Sequence, residues 1–135
     1  MRSIVALLVV SSALVGCQTL GGRDEPVTLD AAEVRRLFVG NTVESYNLNT
    51  RFTSFTYYDP QGRATQERLW ARRTGSWSIQ ADGKICLAFK GSKAKCRHIV
   101  SRGDRYYKVR SDKSGNPETI VRYRYFAKGN ALSAR

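Results

Sequence analysis

Two hydrophobic patterns divide the chain. Within Leu29-Asp30-Ala31-Ala32-Glu33-Val34-Arg35-Arg36-Leu37-Phe38, the apolar residues Val34, Leu37 and Phe38 fall on one face at helical spacing. Asp30 can act as N-cap, and Glu33 stands three residues on, as in a capping box. Leu29 and Val34 are spaced for a hydrophobic staple, and Gly40 supplies a stop. The expectation is one short helix packed on a sheet, in preference to a free helix on a membrane surface. From Thr42 onward the pattern changes to short β-branched and aromatic runs, predicting strands near 42–48, 51–58, 64–72, 76–80, 84–89, 94–101, 105–110 and 119–127. The punctuation falls at Asp59-Pro60-Gln61-Gly62, Thr74-Gly75, Asp82-Gly83, Gly91-Ser92, Gly103-Asp104 and Ser114-Gly115-Asn116-Pro117. Strands at such regular spacing, with no helices between them, predict a mainly β fold. About eight short strands would form an antiparallel meander that curls into a small barrel or curved sheet, with the short N-terminal helix packed on it.

The beginning of the chain carries a different signal. Met1-Arg2 is a short positive segment, followed by apolar residues from Ile4 through Val10 and again at Ala13, Leu14 and Val15. Such a run is shorter than the roughly 18 to 20 apolar residues that cross a bilayer, and it has the length of a signal-peptide core. Leu14-Val15-Gly16-Cys17 resembles the lipobox of bacterial lipoproteins, in which the cysteine thiol is diacylated and the peptide is cut before it. The resemblance implies a signal peptide at 1–16 and a lipid on Cys17. The following residue, Gln18, is not the Asp associated with inner-membrane retention, which points to the periplasmic leaflet of the outer membrane if the source is Gram-negative. The alternative is an ordinary secretory signal with a cysteine nearby. With two or more acyl chains, each buried CH₂ contributes about 0.8 kcal/mol, so the lipid would be the anchor. Residues 17–27, with Gly21-Gly22 and Pro26, read as a tether whose reach is at most about 35 Å. A single domain is expected over 28–128 and a frayed tail over 129–135.

Three cysteines in an oxidising compartment leave one over unless it is chemically occupied, and lipidation of Cys17 removes it. Cys86 and Cys96 then form a natural pair. Two strands folded about Gly91 set them directly opposite, within disulfide reach; the alternative is two reduced core thiols. The same register pairs Leu87 with Lys95 and Phe89 with Lys93, placing an apolar row beside a basic one. Either the helix covers the apolar row, which is the preferred reading, or a bulge shifts the register, or the face is an amphiphilic binding surface.

Charge narrows the partners. The chain holds 23 Lys plus Arg against 11 Asp plus Glu, a formal net charge of +12. Such a balance favours polyanions, namely anionic lipid, an envelope polymer or an acidic protein, while export makes chromosomal nucleic acid an unexpected physiological partner. Basic residues alternate near the C-terminus: Arg105, Lys108 and Arg110 in one strand, then Arg122, Arg124 and Lys128 in or just beyond the next. Alternation would send Arg122 and Arg124 one way and Val121, Tyr123 and Tyr125 the other. The six cations are candidates for an anion-binding face; the plain alternative is a solvated surface over a tyrosine-rich core.

Enzymatic signals are thin. His98 is the sole histidine, no CxxC, GxSxG or HExxH occurs, and the sparse carboxylates carry no acid–base motif. Glu67 and Asp59 read as surface and turn residues, and Arg102-Gly103-Asp104 as a hairpin turn in preference to an adhesion motif. No catalytic residue, metal site or cofactor is expected.

Gly75-Ser76-Trp77-Ser78-Ile79, Asp82-Gly83-Lys84-Ile85-Cys86, Cys96 and Gly103-Asp104-Arg105-Tyr106-Tyr107 together resemble a pattern of small exported proteobacterial domains of unknown function, likened to lipocalin-type β-barrels. Tyr57-Tyr58-Asp59-Pro60-Gln61-Gly62 precedes it, as in such domains. The resemblance implies a core Trp, turn glycines and a disulfide staple, and carries over no catalytic residue. The leading expectation is a membrane-anchored, non-enzymatic envelope module that uses a basic surface on an anionic component or acidic partner. The rivals are a lipocalin-like carrier of a small apolar ligand, held near Phe52, Phe55, Tyr57 and Trp70, and an inhibitor of a periplasmic enzyme.

Overall fold

The computed structural model describes residues 25–132. Cys17 and the segment 1–16 lie outside them, as do residues 133–135. Among the described residues no helix is long and apolar enough to cross a membrane.

The described chain runs β1 (Val27–Thr28), α1 (Ala31–Phe38), β2 (Asn41–Asn47), β3 (Thr53–Tyr58), β4 (Arg63–Arg68), β5 (Ala71–Ile79), β6 (Ile85–Phe89), β7 (Lys95–Arg102), β8 (Arg105–Ser111) and β9 (Pro117–Lys128). Each strand from β2 to β9 pairs antiparallel with the next, and β9 returns to β2, closing an eight-stranded up-and-down barrel. Closure removes the sheet edges that would otherwise template aggregation. The barrel and its single helix were legible in the residue pattern, whereas β4 and β5 divide differently from the expected 64–72 and 76–80, and β1 is an addition, pairing with the far half of β7.

The helix starts as its sequence dictates. The Glu33 backbone N–H donates to the Asp30 carboxylate at 2.8 Å, and the Asp30 N–H donates to the Glu33 carboxylate at 2.9 Å, so the capping box is complete. Leu29 and Val34 are both buried. The apolar face of α1 closes one end of the barrel. Phe38 meets the rings of Tyr58, Tyr123 and Phe126 edge-on, at centroid distances of 5.0, 5.2 and 5.6 Å. Such pairs contribute roughly 0.5–1.5 kcal/mol each beyond the area they bury. Trp77 also stands in this core, edge-on to Tyr58, and its indole N–H donates to the Asp59 carbonyl in the β3–β4 turn.

Two turns differ from the residue pattern, and they share one cause. The β4–β5 reversal is made by Leu69-Trp70, with Leu69 at φ +48°, and Thr74-Gly75 sits inside β5. A Cβ on Gly75 would lie 2.0 Å from the Ala88 carbonyl oxygen, so this glycine serves close strand approach in place of a turn. In β9, a register shift opposite Glu44 and Ser45 sends Phe126 into the core and leaves Tyr125 61% exposed, where strict alternation predicted Tyr125 on the inner side. Beyond β9 the chain remains bonded as far as Ala131: the Thr42 hydroxyl donates to the Gly129 carbonyl and accepts from the Ala131 N–H, so the expected fraying at 129–135 does not begin at once.

Cys86 and Cys96 are directly opposite, with a Cα separation of 4.0 Å, and form a disulfide. Only three residue pairs join β6 to β7, the shortest seam of the barrel. The disulfide therefore staples the junction with the fewest ladder bonds.

Candidate functional site

The end opposite α1 is open. There the barrel holds a cavity of about 470 Å³, lined by the inward positions of the mouth-side halves of the strands. Eight strands leave an interior that is either filled by side chains or able to hold one small ligand; this barrel is filled at one end and open at the other.

Alternation decides what lines it. In β3, Ser54 and Thr56 face inward beside Tyr58, while Phe55 is 42% exposed on the outside. In β4 and β5 the inward positions toward the mouth are Gln66, Arg68 and Arg73; in β6 they are Leu87 and Phe89; in β7, Lys95 and Arg97; in β8, Lys108. With Lys93 and Arg110, seven cations line this one cavity, and no carboxylate does.

A polar ladder separates the mouth from the aromatic end. Gln66 donates through Nε2 to the Thr56 hydroxyl at 2.9 Å and accepts at Oε1 from Arg73 Nε at 2.8 Å. The Arg73 guanidinium also lies 3.7 Å from the Phe89 ring centroid. Arg73 is thus held at Nε and on one face in the cavity wall. Burial, then Arg68, lowers its pKa. Arg97 donates through Nη1 to the Cys96 carbonyl at 3.0 Å, while its buried Nε has no partner among the described residues.

Lys108 is the most perturbed cation. Its amine is pushed down to about 8, first by burial and then by Arg97, Arg73 and Lys95. Its Nζ lies 5.9 Å from the Tyr123 ring centroid. Burial raises the pKa of the Tyr58 and Tyr123 phenols, so both stay neutral and offset none of this charge. The mouth is thus a concentration of positive charge with a low-dielectric floor, a geometry that focuses field on an entering anion.

The six cations singled out by alternation do not share a face. Lys108 and Arg110 line the mouth, whereas Arg122 and Arg124 stand on the outside of β9, and Arg105 and Lys128 at strand ends near the helix. Two already have partners: Arg124 pairs with Glu44 at 2.8 Å, stacks on Tyr46 and donates to Thr53, and Arg110 pairs with Glu118 at 2.9 Å. Barrel closure is the reason for the split, because a face shared by neighbouring strands becomes an inside and an outside. Arg68, Arg73, Lys93, Lys95 and Arg97 were missed as ligand-facing residues. The mixed row of Leu87 and Phe89 beside Lys95 and Lys93 was the available signal. The helix does not cover that row, since α1 closes the other end; the row is part of the cavity wall.

Of the aromatics expected to hold an apolar ligand, Phe52 lines the mouth, whereas Phe55 and Tyr57 alternate to the outside and Trp70 is 95% exposed at a hairpin tip. Among the described residues no group of three or more His, Cys, Asp or Glu side chains is placed to hold a metal. Asp59 forms the β3–β4 turn, and Glu67 pairs with Arg72 on the outside of β4–β5. No protein-family model matches the chain, and no curated protein matches it.

Proposed function

We propose that this protein is a non-enzymatic binding module whose barrel mouth takes a small anionic ligand. The lipobox-like Leu14-Val15-Gly16-Cys17 makes it an envelope lipoprotein, anchored through Cys17. One observation carries the reading: seven cations and no carboxylate line a single 470 Å³ cavity, with Leu87 and Phe89 as an apolar wall beside them. Gathering like charges at the edge of a low-dielectric core costs folding free energy, and a bound anion offsets that cost. The ligand class that fits is a phosphate, sulfonate or carboxylate group joined to a compact apolar body. The basic surface anticipated for an anionic partner is then an interior one, and the carrier reading merges with it once the ligand is charged.

Anilinonaphthalene sulfonate joins such a group to an aromatic body, and N-phenylnaphthylamine is its neutral counterpart. The anionic probe should bind at least about tenfold more tightly than the neutral one, and its affinity should fall steadily across a salt series. Equal binding of both, or no binding of either, contradicts the proposal.

A further inference from the structure

Four of the large exposed apolar side chains gather at the mouth, while Val27, Phe55 and Tyr125 are exposed elsewhere. Leu48 and Phe52, in the β2–β3 loop, are 39% and 53% exposed, and Leu69 and Trp70, at the β4–β5 tip, are 59% and 95% exposed. These two loops are neighbours around the mouth, because Ser54 pairs with Arg68 where β3 and β4 leave it. A two-residue turn ordinarily takes Gly, Asn or Asp. Leu69 accepts a left-handed φ of +48° here without burying its side chain. A contiguous exposed apolar group of this kind marks a surface that meets something.

Charge says what it meets. The loops at the mouth end carry Arg51, Lys90, Lys93 and Lys113, with Asp112 as their one acid, and Asp112 is occupied accepting from the Ser114 and Asn116 N–H groups. The other end carries charges of both signs, with Asp30, Glu33, Asp59, Asp82 and Asp104 standing among Arg35, Arg36, Lys84, Arg105 and Lys128. What sets the mouth end apart is that exposed apolar tips project there among cations, with a single, occupied acid in the loops. Trp and Leu flanked by Arg and Lys is the side-chain chemistry of a membrane interface, where aromatic rings settle at headgroup depth and cations meet anionic lipid.

We infer that the rim of the mouth docks on an anionic phospholipid bilayer through Leu48, Phe52, Leu69 and Trp70, and that the anion entering the mouth is a phosphate headgroup of that bilayer. The second half rests on the anion-binding reading of the cavity; the docking does not. Each Lys or Arg close to an anionic surface adds about fivefold to partitioning, and salt weakens it.

The test uses the chain from residue 18 onward, which contains the whole described barrel and no acylated cysteine. The chain has two tryptophans, and Trp77 is buried, so a change in emission on vesicle binding reports Trp70. Vesicles containing phosphatidylglycerol should shift that emission to the blue and carry the protein down on sedimentation. Vesicles of phosphatidylcholine alone should bind at least about tenfold more weakly. Leu69→Asp should reduce vesicle binding about tenfold, and Asp tolerates a positive φ better than Leu, so the variant keeps its fold. Lys108→Gln should weaken anilinonaphthalene sulfonate in the mouth and, because a headgroup enters there, lower vesicle binding as well, though less than Leu69→Asp does. Dihexanoyl phosphatidylglycerol should displace the sulfonate probe. Equal binding to both vesicle types, or full binding by Leu69→Asp, overturns the docking. Failure of the short-chain lipid to displace a probe that does bind overturns the headgroup assignment and leaves the anion-binding reading standing.

Discussion

At the closed end of the barrel, Phe38 is wrapped by Tyr58, Tyr123 and Phe126, and each strand from β2 to β9 contributes toward an apolar centre. At the mouth, a few residues along the same strands, the inward positions are Arg68, Arg73, Lys95, Arg97 and Lys108. The strands are continuous and the hydrogen-bond ladder is shared, so the difference lies wholly in which residues occupy the inward positions. Stability and binding are thus divided along the barrel axis. One end holds the fold together, and the other carries charge that the fold would be steadier without.

That division can be broken at several points. The largest effect should come from Phe38→Ala, which removes the ring plugging the closed end and should cost roughly 3–5 kcal/mol in denaturant unfolding. The anion affinity of the protein that remains folded should hardly change. If Phe38→Ala instead abolishes binding in fully folded protein, the two ends are coupled and the division fails.

Next in size is replacement of Cys86 and Cys96 together by Ser, expected to lower stability by roughly 3 kcal/mol through the reopened chain loop. Because the disulfide staples the short β6–β7 seam that carries Leu87, Phe89, Lys95 and Arg97, the mouth should loosen before the closed end. Amide exchange should quicken first along β6 and β7. Uniform quickening over the whole barrel would contradict this.

Lys108→Met should act in the opposite sense on the two properties. It removes a charge held among Arg97, Arg73 and Lys95, so stability should rise by on the order of 1 kcal/mol while anion affinity falls about tenfold. The pH dependence follows with a definite sign. The Lys108 amine has a folded pKa of about 8 against an ordinary value of 10.5, so between those pH values the unfolded chain binds more protons. The stability difference from Lys108→Met should therefore shrink as pH rises from 8 toward 10.5. Affinity for the anionic probe should fall over the same rise, because the ammonium is lost. A difference that is flat with pH would place the amine in an ordinary aqueous setting.

The smallest effect is expected on the outer face. Arg124→Ala breaks a surface pair with Glu44 and should cost less than about 1 kcal/mol in thermal unfolding, and less still at high salt.

Much of the architecture was legible because it is written in local patterns. The Asp30–Glu33 capping box, the turn at Asp59–Gly62 and the opposition of Cys86 and Cys96 each depend on residues near one another in the chain. The β4–β5 tip was not legible, since Leu69-Trp70 carries none of the glycine or asparagine chemistry of a tight turn and Gly75 mimics one. Nor was the mouth. Arg73 becomes a cavity residue only through contacts with Gln66 on one neighbouring strand and Phe89 on the other, and Lys108 acquires its perturbation first from burial inside the closed barrel and then from Arg97 and Lys95 on β7 and Arg73 on β5. Alternation says that a residue faces one way; only closure says that this way is inward. The bulge opposite Glu44 and Ser45, which exchanges Tyr125 for Phe126, likewise leaves no mark in the alternating pattern.

The cations that matter are those inside the mouth. Calorimetric titration of anilinonaphthalene sulfonate into Lys108→Gln and into Arg122→Gln tests it directly, because the two variants lose the same unit of charge on opposite sides of one wall. The account predicts at least about a tenfold loss of affinity for Lys108→Gln and less than about twofold for Arg122→Gln. Equal losses in the two would mean that the protein attracts anions by its net charge alone, and the mouth would have no special part.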